Sequence, residues 1–105
     1  MQEIKKKRLE SSGWRVGDAH EFLGLNPAER QFVELKLALA DEARRIRTQN
    51  GWTQTQVARR LGSSQSRVAK MEAADASVSL DLLIRALLLL GMTRGEVGSV
   101  IARAA

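Results

Sequence analysis

The sequence predicts an all-α fold, and three observations carry that expectation. Hydrophobic residues make up 44% of the chain, yet only two Trp, two Phe and no Tyr are among them, so the core must come from Leu, Val, Ile, Ala and Met, the material of packed helices. Apolar residues step by three and four from Phe32 to Ile46, the spacing of one helix face. Polar residues suited to helix caps precede the apolar runs, and glycines close several of them. At 105 residues the chain has the size of one domain. It divides into an N-terminal extension over residues 1–30 and a body of five helices over residues 31–105.

The first ten residues are heavily charged and weakly periodic, and Lys5 to Arg8 read as a solvated terminus rather than an arm. Asp18 with Glu21 makes a capping pair for a short helix that stops at Gly24. Trp14, Val16, Phe22, Leu23 and Leu25 form an expected apolar flap. A stronger start follows at Asn26, which can cap a helix whose first residue is Pro27 and whose Glu29 reaches back. That helix runs to Asn50-Gly51 with an inward stripe of Phe32, Leu35, Leu39, Ala43 and Ile46, widened by Val33, Leu37 and Ala40.

Thr53 with Gln56 opens the next helix, with Val57, Ala58 and Leu61 inside and an end at Gly62. Ser64 caps the helix after it, whose inward residues are Val68 and Met71 and whose end is blurred around Ala73 to Asp75. Ser79 caps a very apolar helix from Leu80 to Leu90, stopped by Gly91. Thr93 and Glu96 cap a final helix through Val97, Val100 and Ile101, weakened by Gly95 and Gly98. The run Leu87 to Leu90 cannot all face one core, so one side is expected to meet a second copy or the flap.

Composition narrows the chemistry. No cysteine is present and His20 is the single histidine, so thiolate chemistry and a multi-histidine metal site are excluded, and His20 reads as a surface residue. With no Gly-rich phosphate loop either, neither catalysis nor a cofactor is expected. No apolar stretch approaches bilayer length, and the expectation is a cytoplasmic protein. The formal net charge of +5 is unevenly spread. Residues 44–71 hold seven basic residues and no acid, against ten basic and twelve acidic elsewhere. A positive field concentrated in this way suits a polyanion such as duplex DNA.

The stretch from Thr53 to Glu72 has the layout of two helices crossing through a tight turn. Val57, Leu61, Val68 and Met71 supply the shared interface, Ala58 is small where backbones approach, and Gly62 permits the turn. Here the chain resembles the phage-repressor and Cro-like, XRE-type helix-turn-helix family over about residues 35 to 92. The matching positions are Thr53-Gln54, Ala58, Gly62, Ser64-Gln65 and Glu72. The resemblance implies a lambda-repressor-like domain that regulates transcription by binding DNA.

With Val68 and Met71 inward and about 100° per residue, Gln65, Ser66, Ala69, Lys70 and Ala73 lie opposite. Gln65, Ser66 and Lys70 are therefore the candidate base readers: Gln65 can pair with adenine, while Ser66 and Lys70 suit guanine or phosphate. Gln54, Ser64 and Arg67 are the candidate phosphate anchors, Gln54 because it begins a helix. Arg44, Arg45, Arg59 and Arg60 suit a solvated face or a phosphate contact equally. The resemblance further implies that Gln54 braces Gln65 and that Arg47 and Glu72 form a semi-buried structural ion pair. Two functions remain in view. One is a repressor binding double-stranded DNA as a homodimer. The other is an antitoxin, since the extension ahead of such a domain is similar to the HigA-like antitoxins of bacterial toxin–antitoxin pairs, whose partner is a cognate toxin protein that cleaves mRNA.

Overall fold

The computed structural model describes residues 26–104. The expected short helix opened by Asp18, the flap residues Trp14, Val16, Phe22, Leu23 and Leu25, His20 and the Lys5 to Arg8 run lie outside the described residues. Within them stand five helices: α1 (Pro27–Gln49), α2 (Gln54–Leu61), α3 (Gln65–Glu72), α4 (Leu80–Leu89) and α5 (Arg94–Arg103). No strand occurs among the described residues, and none of their helices is long and apolar enough to cross a membrane.

Each helix begins where its capping chemistry places it. The Asn26 side chain accepts the Glu29 N–H at 2.9 Å, with Pro27 in the first turn, where a missing N–H costs nothing. Thr53 and Gln56 form a reciprocal capping box before α2, and Thr93 and Glu96 form another before α5. Ser64 accepts the Arg67 N–H at 3.1 Å and Ser79 the Leu82 N–H at 3.0 Å, opening α3 and α4. α5 forms despite Gly95 and Gly98 because its box is complete and Val97 and Val100 are buried against the other helices.

α1 is the spine. α4 and α5 pack along it, α3 touches it, and α2 packs chiefly against α3. The main core joins α1, α4 and α5 to Met71 of α3 and to Ala74 and Val78 of the following loop. Val57, Ala58 and Val68 form a small second cluster between α2 and α3, and Trp52, Leu61 and Leu90 pack against both clusters. The pair of short helices is therefore clamped to the body by its own hydrophobic interface.

The expected stripe on α1 requires correction in its first half. Phe32 is half exposed and Leu35 only partly buried, whereas Val33, Leu37 and Ala40 are core residues together with Leu39, Ala43 and Ile46. The first half of α1 meets more than one helix, which widens the buried arc and turns its centre away from Phe32. Lys36 lies within that arc, 5% exposed, its ammonium 3.5 Å from the Ala76 carbonyl in the α3–α4 loop. Burial lowers the pKa of Lys36 below the usual lysine value, with nearby Asp75 acting in the opposite direction. In the leucine run, Leu87 is fully buried while Leu88 and Leu89 are exposed.

Candidate nucleic-acid interface

The turn between α2 and α3 is set by Gly62, whose φ of 64° is left-handed backbone that a side chain would strain. The Ser63 N–H then returns to the Ala58 carbonyl at 2.8 Å, closing the end of α2 and aiming the chain into α3. With Val68 and Met71 buried, the opposite side of α3 faces outward, and Gln65, Ser66, Arg67 and Lys70 are all exposed. Ala69 and Ala73 are half-buried. Among the described residues, neither the Arg67 nor the Lys70 side chain has a hydrogen-bond partner.

A chain of hydrogen bonds fixes the start of this exposed face. The Gln65 amide donates to Gln54 Oε1 at 2.6 Å, and Gln54 Nε2 donates to Glu72 Oε1 at 3.3 Å. Glu72 in turn accepts from Arg47 Nε at 2.6 Å and from Arg47 Nη2 at 3.0 Å, a two-pronged pairing of planar groups. Arg47 also donates to the Trp52 carbonyl at 3.2 Å. The Glu72 carboxylate raises the Arg47 guanidinium above its already high pKa, against the opposing effect of burial. The links run from the spine to the end of α3, across to the first residue of α2, and back to the start of α3. The structure thus brings Arg47 together with Glu72, and Gln54 together with Gln65.

Gln54 uses its carbonyl for Gln65 and one amide proton for Glu72, leaving the second amide proton and the N-terminal backbone of α2 for another acceptor. Ser64 accepts from the Arg67 backbone, and its hydroxyl proton remains to be donated. The other arginines differ among themselves. Arg45 is tied along its own helix to Glu42 and, at 2.8 Å, to Gln49. Arg60 lies over the Trp52 ring, 3.9 Å from its centroid. Arg44 and Arg59 are exposed.

Two features of this surface go beyond the sequence reading. Trp52 is the platform for Arg60 and the acceptor for Arg47, and its only sequence signal was a large aromatic residue in the short link before Thr53. Ser77 joins Ser64, Ser66, Arg67 and Lys70 around a cavity of about 310 Å³ beside α3. It is held there by Asp75, whose carboxylate accepts the Ser77 hydroxyl at 2.6 Å and its N–H at 2.9 Å. Those bonds keep the Asp75 carboxyl below the usual carboxylate range. The Ser64 and Ser66 hydroxyls and two cations around this concavity are chemically suited to a phosphate oxygen, while the Ser77 proton is taken by Asp75.

A family model described as helix-turn-helix matches residues 44–97, just over half of the chain, and its span takes in α2, the turn and α3. Comparison with curated proteins and with solved structures gives no match. With the two capped helices, the left-handed turn and the exposed polar face of α3 on the same segment, the chain belongs to the XRE-type helix-turn-helix family of DNA-binding regulators.

Proposed function

We propose that the protein is a sequence-specific transcriptional repressor that places α3 in the major groove and acts in the cytoplasm. Gln65, Ser66 and Lys70 contact base edges, and Gln54, Ser64 and Arg67 hold phosphates on either side. The observation that carries this reading is the bracing of Gln65 by Gln54, Glu72 and Arg47. A glutamine held in one rotamer loses little entropy when it pairs with a base, so the brace favours reading over general adhesion. The role is binding rather than catalysis, as in the family at large. Residues 31–105 serve as the DNA-binding domain and residues 1–30 as an extension to it.

One copy of a module this small buries too little surface for tight specific binding, so the protein acts as a two-fold homodimer with its α3 helices about 34 Å apart. Exposed Leu88 of α4 and Ile101 of α5 offer apolar area for that contact. Selection from a random duplex library at two salt concentrations tests the proposal. An enriched, roughly palindromic motif is expected, with preference at one base position relaxed in Gln65→Ala. Arg67→Ala and Lys70→Ala should each reduce the salt slope by about one. A steep salt dependence with no enriched motif overturns the reading.

The alternative is an antitoxin that represses its own operon and neutralises an mRNA-cleaving toxin, and it is favoured by the stretch of chain ahead of residue 31. Co-purification with the product of the adjacent gene supports it. A neighbouring gene product of toxin size that fails to co-purify rules it out.

A further inference from the structure

A second concavity, of about 260 Å³, opens between the α2–α3 turn and α4. Half-buried Leu61 and Leu82 line it, exposed Leu89 stands at its edge, and the guanidinium-bearing residues Arg67 and Arg85 flank it. Ser63 is also one of the residues lining this groove, and its hydroxyl oxygen is buried with no hydrogen-bond partner among the described residues. A buried, unpaired hydroxyl is costly and uncommon in a folded protein, and a ligand oxygen is one of the things that satisfies it. Arg85 is paired with Asp81 at 3.3 Å, but both side chains are about three-quarters exposed, so that contact is weak and easily shared.

We propose that this groove binds a small carboxylate with an apolar body, and that binding draws Arg67 away from DNA. The apolar walls take the hydrocarbon, and Ser63, Arg67 and Arg85 take the carboxylate. Arg67 lines both this groove and the polar cavity beside α3, so one side chain stands between the ligand and the DNA face. A bound carboxylate competes with phosphate for the same guanidinium and makes the protein an effector-released repressor. This second half rests on the reading of Arg67 as a phosphate anchor.

Octanoate is the probe, titrated calorimetrically into the full chain, with octanol as the uncharged control. Saturable binding of one octanoate per chain is expected, with none for octanol. Arg85→Ala, at an exposed position, should weaken octanoate about tenfold through the loss of a charged hydrogen bond. Ser63→Ala should also weaken octanoate several-fold while leaving the Tm of the free protein equal or higher, because it removes an unsatisfied group. Absence of saturable heat, equal binding of octanol, or unchanged affinity in both variants overturns the site.

Anisotropy of a labelled duplex from the library selection reads the second half. Octanoate should weaken DNA binding by the wild-type protein several-fold and leave the residual binding of Arg67→Ala unmoved. Octanoate that binds without changing DNA affinity overturns the effector role. Failure to bind DNA with no octanoate present counts against the repressor reading alone, since the calorimetric titration reads the groove without DNA.

Discussion

The Glu72 carboxylate ties the spine to the first residue of α2. It is 6% exposed and receives Arg47 and Gln54 together, so removing it leaves a half-buried guanidinium without its counter-charge and frees the brace on Gln65. Glu72→Ala should lower unfolding stability by about 3 kcal/mol in urea titrations, toward the low end for a broken buried pair because Arg47 keeps some contact with water. Glu72→Gln retains an acceptor for Gln54 and should lose less. Asp75 offers a test by pH. Its hydrogen bonds from Ser77 depress the folded pKa, so the stability they contribute is complete above the unfolded aspartate value of about 3.9 and disappears as pH falls through the depressed one. The stability difference between the wild-type protein and Ser77→Ala should therefore be constant near neutrality and close as the solution is acidified. An NMR titration should find the Asp75 pKa higher in Ser77→Ala.

At the level of the elements, α2 and α3 have eight residues each, too short to persist as isolated helices, so their ends and their mutual packing hold them. Gly62 is the sharpest probe of that arrangement, because a Cβ placed there meets nothing within 4 Å and only the left-handed backbone resists it. Gly62→Ala should cost about 1 kcal/mol by thermal or urea unfolding, and Gly62→Asn less, since asparagine tolerates this conformation. Equal losses in the two variants would show that packing, not backbone conformation, governs the position. The starts of all five described helices were legible in the sequence, since a cap and its partner lie three residues apart and the chemistry is local. The end of α3 was not. It closes at Glu72 with Ala74 at a φ of 53°, a left-handed residue that carries no glycine or asparagine signal.

For the whole molecule, the site is carried on the main core. Leu39 and Leu83 are fully buried where α1 and α4 meet, and α3 is fastened to that body through Met71 and the Arg47–Glu72 pair. Leu39→Ala should cost about 2–5 kcal/mol in a urea titration and weaken DNA binding only as far as it populates the unfolded chain. By itself the sequence determined the all-α class, the order and caps of the five described helices, the burial of Val57, Ala58, Val68 and Met71 in the two-helix motif, where Leu61 is only half-buried, and its exposed polar face, because periodicity and capping act over a few residues. The link between Arg47 and Glu72, 25 positions apart, was legible only through family resemblance, since spacing along the chain says nothing about such a contact. Tertiary structure alone decided which arc of α1 is buried, that Lys36 reaches beneath the α3–α4 loop, that Trp52 carries Arg60, and that Ser77 stands beside Arg67. Those outcomes depend on which neighbour each helix meets and at what angle, and that is settled by the packing of side chains far apart in the chain.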